Sequence, residues 1–302
     1  MTDVHALAPA RGGLSLRSVG LSGIRKPLAV KRPERVNTLA VTFDVAVDLP
    51  SERKGSDLSR NAEILAEIVD ETVLRPTESL EATCSEIARE LLHRHVSATH
   101  ATVRASAEYF RRQGVSDAKR SFEDYTLIAE AEAQRSDDGA VAVHRAVGAE
   151  AVGMTACPCA METCREALTR EFPLLADPRL ASLPMITHNQ RNRTRLVLEL
   201  GGAPTVEVDA IVDAIEAAQS SPTYAILKRG DEGQVVLRAH RRPRFVEDVL
   251  RDLLASLPDR FPDLPDAVVA RASTVSEESI HKYNVEASHR VALGELRGER
   301  AP

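Results

Sequence analysis

The chain is short of cysteine, has no surplus of basic charge and lacks any long apolar run. Of its 302 residues only Cys84, Cys157, Cys159 and Cys164 carry a thiol. Four thiols without a dense framework argue against a disulfide-stapled secreted scaffold and suit a reducing compartment. They also argue against a closed structural zinc finger, which takes four Cys/His donors in two tight pairs. Lys and Arg number 39 against 45 Asp and Glu, a formal net charge of -6, and the pI is near 5.9. A nucleic-acid-binding protein shows a basic face, so no nucleic-acid partner is expected. No apolar run approaches the roughly 20 residues that cross a bilayer, so no membrane partner is expected either. Residues 1–13 mix Ala, Pro, Gly and Arg without the apolar core of a signal peptide and read as a flexible tail. A soluble, cytoplasmic protein is the expectation.

Against that background three strings stand out: Cys157-Pro158-Cys159, His188-Asn189-Gln190-Arg191 and Glu278-Ser279-Ile280-His281. Together they offer thiolate, imidazole and carboxylate, a donor set that holds a first-row divalent ion while leaving a position free for chemistry. On a strand, Cys157 and Cys159 would point to the same face and into one pocket. Pro158 between them cannot donate to a sheet ladder and marks a strand end or a turn at a cavity rim. Glu278 and His281, three apart, would share a face of a helical turn or converge from a loop. Each string alone also fits an ordinary role, since free cysteine packs as a small hydrophobe. Cys84 and Cys164 fall on expected helices and read as packing residues.

Periodicity gives an α+β reading. Thr38–Leu49 alternates as a strand ending at Pro50, and Ser59 caps a helix with Ile64, Leu65, Ile68 and Val69 on one stripe. Pro76-Thr77-Glu78 opens a second helix that runs to about His95. Strands are expected at Ala98–Arg112 and Ser121–Ala133, around a polar turn at Gln113–Asp117, and then at about Ala140–Thr155. The second half offers a helix near 160–171, a strand at Arg193–Leu200 and a helix at Val206–Gln219. A short strand at Tyr224–Lys228, a helix at about Arg244–Ser256 and a strand near Ala267–Ser273 follow. Long antiparallel hairpins with helix pairs between them, twice over, suggest two similar halves, 14–150 and 151–302, with the metal strings in the second. The repeat is architectural, without strong identity between the halves.

The ordered strings resemble those of the type IB GTP cyclohydrolases, including their archaeal relatives. They are Gly153-Met154-Thr155-Ala156-Cys157-Pro158-Cys159, Pro184–Arg191, Leu227-Lys228-Arg229-Gly230-Asp231-Glu232, Pro243–Val249 and Glu278–His281, with Val19–Pro27 near the start. The resemblance implies a tunnelling fold, in which tandem units of antiparallel sheet backed by helix pairs oligomerise into a barrel. It also implies a homotetramer with active sites between subunits, which would cover sheet edges left open in one chain.

By the same resemblance a divalent metal, with Fe(II) favoured and Mn(II) or Zn(II) as alternatives, is held by Cys157, Glu232, Glu278 and His281. His188 stands beside it, and Cys157 and His188 form the catalytic pair. The implied reaction is hydrolysis of the guanine imidazole ring of GTP at C8, with release of formate and formation of a dihydroneopterin phosphate. An imidazole exchanges protons near working pH, which suits a donor to the ring nitrogen that leaves C8. Glu247 matches the residue that anchors guanine: its two acceptor oxygens fit the paired N1–H and N2–H donors, which adenine lacks. Arg60, Arg191, Lys228 and Arg229 are the cations nearest these strings and are the expected triphosphate contacts.

One departure bears on substrate. Relatives carry Lys-Gly-x-His-x-Ser-Arg where this chain reads Lys54-Gly55-Ser56-Asp57-Leu58-Ser59-Arg60, so Asp57 replaces the family histidine. Asn61 and Ala62 also stand where an aromatic-aliphatic pair is common. An alternative expectation is therefore a diverged tunnelling-fold enzyme acting on another purine or pterin. The long segment between Cys159 and His188 resembles the archaeal branch, which ends at a cyclic phosphate where the bacterial one ends at the triphosphate, and the product stays open between them.

Overall fold

The computed structural model describes residues 13–31, 36–116 and 119–298. The expected tail lies outside the described residues except for Gly13. The chain forms two compact units: one built from residues up to Tyr109 with Thr126–Val147 and Glu199–Thr205, the other from Phe110–Tyr125, Gly148–Leu198 and the chain from Val206 onward.

In the first unit the strands follow one another in the order β1 (Leu16–Lys31), β2 (Val36–Leu49), β3 (His100–Ser116), β4 (Lys119–Arg135) and β5 (Val141–Ala156), the last three passing on into the other unit. β1 and β2 are antiparallel with two breaks in register. At the second break Gly23 takes φ 72° and donates its N–H to Asp44 Oδ1 at 2.7 Å, a backbone turn that a side chain would strain. β2 buries Val41, Phe43, Val45 and Val47 on alternate positions. α1 (Leu58–Leu74) packs on β1 and α2 (Leu80–Arg94) on β2, with inner stripes of Ile64, Leu65 and Val69, and of Ile87, Leu91 and Leu92. Each such side chain contributes about 1.5–3 kcal/mol on burial. Ser79 caps α2 by accepting from Ala82 N at 3.2 Å. Cys84 is fully buried in α2, and burial, with the Glu81 and Glu130 charges adding, pushes its thiol far above the usual range. It is a packing residue.

In the second unit the order is β5, β6 (Asn189–Gly201), β8 (Val269–Glu277) and β9 (Val285–Ala292), with the two-residue β7 (Ser221–Pro222) beside β5. The helices are α3 (Pro158–Glu171), α4 (Val208–Ala218), α5 (Arg229–Arg241), α6 (Val246–Arg260) and α7 (Leu293–Gly298). Ile211 and Ile215 of α4 and Leu253 and Leu257 of α6 are fully buried. Glu216 of α4 accepts from Tyr125 Oη at 2.7 Å, Gln113 Nε2 at 3.2 Å and Arg111 Nη2 at 3.3 Å. Burial raises the Glu216 carboxyl despite these donors, and burial and Glu216 raise the Tyr125 phenol. Among the described residues no helix is long and apolar enough to cross a membrane.

Several expectations need correction. The chain forms no strand at Tyr224–Lys228; the pairing falls at Ser221–Pro222, because Ala225 N donates to Glu123 Oε2 at 2.8 Å and Thr223 Oγ1 to Val152 O at 2.9 Å. Gln113–Ser116 is not a turn but the end of β3, and Asp117 lies outside the described residues. α1 begins at Leu58 with Asp57 at its N-cap, two residues before the expected Ser59. β1, α5, β9 and α7 are additional. Their patterns are faint because little of each is buried: α5 buries only Val235 and Ala239.

Candidate active site

The chain around Cys157 is fixed by its main chain. β5 ends at Ala156, Cys157 is the N-cap of α3, and Pro158 takes the first helical position, where its missing N–H costs nothing. Pro158 thus marks a strand end, as expected, but it starts a helix there. Cys157 and Cys159 therefore do not share a strand face; Cys157 is half-buried and Cys159 exposed. Cys157 Sγ accepts from Ala160 N at 3.5 Å. Cys157 N donates to His188 O at 3.1 Å, and Cys157 O accepts from Thr187 Oγ1 at 2.7 Å. One residue earlier, Ala156 N donates to Ser220 Oγ at 3.3 Å and Ala156 O accepts from Arg244 N at 2.9 Å. This last bond brings the start of α6, and with it Glu247, to the same end of β5.

Beneath this floor lies a closed polar network. Asn192 Nδ2 donates to Gln219 Oε1 at 3.0 Å, Gln219 Nε2 to Thr194 Oγ1 at 2.8 Å, and Thr274 Oγ1 to Asn192 Oδ1 at 2.8 Å. All four residues are buried, so each bond saves an otherwise orphaned group. Gly153 lets β5 run against this network, since a Cβ there would meet Gln219 Cγ at 2.6 Å.

His188 leads into β6 and is held by its neighbours. Gln190 Nε2 donates to Thr155 Oγ1 at 3.1 Å, which leaves Gln190 Oε1 to accept from His188 Nδ1 at 2.9 Å. Glu278 Oε2 lies 3.9 Å from the same nitrogen, and Ser279 Oγ lies 3.4 Å away. Both His188 and Glu278 side chains are largely buried, and Ser276 Oγ steadies Glu278 Oε1 at 2.8 Å. With the proton on Nδ1, Nε2 keeps its lone pair for a ligand or a proton.

The remaining expected residues are less gathered. Glu278–His281 is a loop between β8 and β9, the second of the two conformations expected of it. His281 is exposed and stacks on Tyr283 with ring centres 5.1 Å apart. Glu232 sits exposed in the first turn of α5, just after Lys228 and Arg229, which are exposed as well. Glu247, in the first turn of α6, and Arg191 are exposed. Arg60 belongs to the first unit and pairs there with Asp57 at 3.2 Å. Among the described residues no three His, Cys, Asp or Glu side chains come close enough to hold a metal ion. The donor chemistry of Cys157, His188, Glu278, Glu232 and His281 nonetheless fits a first-row divalent cation.

Sequence reasoning missed Thr187, Gln190, Ser279 and Arg244 as positioning residues. Gln190 was within reach, because residues two apart on a strand share a face and His188 stands two before it.

An antiparallel sheet backed by helices, with a thiol, an imidazole and a carboxylate at one end of its strands, defines an α+β protein of the tunnelling-like fold. A uricase from Bacillus fastidious has the same fold, with a TM-score of 0.53 and 12% identity over 97% of each chain. The chain belongs to the type I GTP cyclohydrolases: the family model described as "Type I GTP cyclohydrolase folE2" matches residues 1–287. It is 39% identical to the GTP cyclohydrolase MptA of Methanococcoides burtonii over 98% of this chain and 96% of that one. Against the GTP cyclohydrolase MptA of Methanosarcina acetivorans it is 40% identical, over 99% and 97%. The chain is an enzyme of this family.

Proposed function

We propose that this enzyme opens the imidazole ring of the guanine base of GTP in a metal-dependent hydrolysis. Water adds at C8, the bond from C8 to the ring nitrogen breaks, that nitrogen takes a proton, and hydrolysis of the resulting formamide releases C8 as formate. The ribose then opens and rearranges, and the amino group freed from C8 condenses with its second carbon with loss of water, which closes the ring of a dihydroneopterin phosphate. The observation that carries the reading is the packing of His188 against Glu278 and the Cys157 main chain, within a chain that matches the family nearly end to end.

In this reading Cys157, Glu232, Glu278 and His281 hold the divalent ion, Fe(II) in preference to Mn(II) or Zn(II). A bound ion of this kind supplies Lewis acidity, which brings the pKa of water to about 7 and makes attack at an amidine-like carbon feasible at neutral pH. His188 moves the proton: Gln190 and Glu278 hold Nδ1, and Nε2 serves the ring nitrogen that departs. Glu247 anchors the N1–H and N2–H edge of guanine, and Arg60, Arg191, Lys228 and Arg229 meet the triphosphate. Assembly as a homotetramer is part of the reading, since Glu232 and His281 are exposed on a single chain and are not gathered with Cys157.

A second reading, turnover of another purine or pterin, is favoured by one observation: Asp57 already pairs with Arg60, one of the expected triphosphate contacts. The test is to purify the protein without oxygen, strip metal with a chelator, and follow formate and pterin fluorescence from GTP as Fe(II) or Mn(II) is restored. Metal-dependent release of both is expected. Tight metal binding without either product would overturn the GTP reading in favour of the second.

A further inference from the structure

The first unit contains a cavity of about 160 Å3 whose walls include Arg53, Ser56, Asp57, Arg60 and His95. Asp57 is the N-cap of the 17-residue helix α1, yet its carboxylate makes no capping bond. It serves the arginines instead, at 3.2 Å from Arg60 Nη1 and 3.7 Å from Arg53 Nη2. Asp48, the other acid on the wall, is taken up by Thr99 N, His100 N and Thr99 Oγ1, each at 2.8 Å. Ser56 is 8% exposed and its hydroxyl has no hydrogen-bond partner among the described residues. His95 pairs through Nε2 with Asn61 Oδ1 at 2.7 Å, while Asn61 Nδ2, also buried, has no partner. Burial and the Arg60 charge lower the His95 pKa, so the ring stays neutral there.

We propose that this cavity is a subsite for a phosphate-class oxyanion, taken by Arg53 and Arg60 with Ser56 as hydroxyl donor, and that Asp57 is a resident carboxylate competing for the same guanidiniums. Guanidinium N–H groups donate to carboxylate and phosphate oxygens alike, and both arginines converge on the single oxygen Asp57 Oδ2, so Asp57 occupies the role an external anion would fill. An entering phosphate must share or displace it, and every further negative charge meets the fixed carboxylate at close range. Asp57 is therefore a specificity-determining residue that limits how much phosphate charge this subsite tolerates. The inference rests on the cavity and shares Arg60, and its pairing with Asp57, with the proposed function.

The test is calorimetric titration of the full chain with inorganic phosphate. Asp57→Asn keeps the shape and removes the competing charge, and should tighten phosphate binding by about tenfold or more at low salt. Adding Arg53→Gln to that variant should reverse the gain. Ser56→Ala should weaken binding several-fold with an unchanged melting temperature, because the hydroxyl has no internal partner to lose. A separate arm measures KM for GTP. A fall in KM with Asp57→Asn assigns the phosphate to the nucleotide, whereas tighter phosphate binding with unchanged KM assigns a free phosphate ligand. Phosphate affinity equal in Asp57→Asn and the unmodified chain, or indifferent to Arg53→Gln, overturns the proposal. Failure of GTP turnover alone leaves the phosphate arm readable and strikes only the ring-opening reading.

Discussion

The cavity at Asp57 in the first unit and the Cys157 end of β5 in the second use the same kinds of side chain in opposite ways. At Asp57 a carboxylate oxygen already faces two guanidiniums, at 3.2 and 3.7 Å, and Arg60 Nη1 also donates to Arg94 O at 3.2 Å. At Cys157 the main chain is bonded on both sides and the buried network beneath it is closed, while Nε2 of His188, the expected proton carrier, and exposed Glu232 and His281 of the expected metal set have no bond to one another. A site ready for an external ligand is rigid below and unsatisfied above. One filled by its own residues must give something up before a ligand enters.

That contrast can be broken by substitution. The largest effect is expected at Cys157→Ala, which removes the thiolate and leaves the backbone bonds intact: formate release should fall at least about a hundredfold and metal content should drop. A full metal complement in the variant would show that the thiol is not a ligand. Next is the rigid base. Asn192→Leu leaves the buried Gln219 Oε1 without its donor and takes one of two partners from the Thr274 hydroxyl, which keeps Thr194 Oγ1, and should cost about 1–3 kcal/mol in urea unfolding. Glu247→Gln, which sets a donor against the donor edge of guanine, should raise KM for GTP roughly 10- to 100-fold with metal content unchanged. Loss of metal instead would mean that Glu247 has been given the wrong role.

Gln190→Leu sharpens the comparison further. It releases His188 Nδ1 without touching an expected ligand, and should lower kcat about tenfold with little change in KM. The smallest effect belongs to the first unit. His95 has a folded pKa below 6.5, so the folded chain binds fewer protons than the unfolded one as pH falls past that value. Its contribution is complete above about pH 6.5 and is lost as pH drops toward the lowered folded value, with a slope no steeper than about 1.4 kcal/mol per pH unit. Thermal midpoints at pH 7.5 and 5.5 should differ more for the unmodified chain than for His95→Gln.

Much of this was legible in the sequence where burial follows a period. β2 alternates cleanly, and α1, α2, α4 and α6 carry full apolar stripes, so their places followed from the pattern. β1 and β9 lie mostly exposed and α5 is polar nearly all round, which left no period to find. At the site, Cys157, His188 and Glu278 were visible by residue type. Gln190 was within reach from its spacing to His188, but Thr187 and Arg244 were not, because their roles come from bonds to the main chain of β5 and Cys157 that form only in three dimensions. The Asp57 pairing was half visible: the spacing of three to Arg60 at the start of α1 permits it, but Arg53 precedes the helix and only the fold puts all three on a cavity wall.

The most direct measurement of the central claim is to supply GTP labelled with 13C at C8 to the metal-restored protein and follow the label by NMR. The account predicts that the label leaves as formate, one per GTP consumed, and that the unlabelled remainder becomes a dihydroneopterin phosphate. GTP consumed with the label retained in the purine, or metal-restored protein that leaves GTP intact, would contradict it.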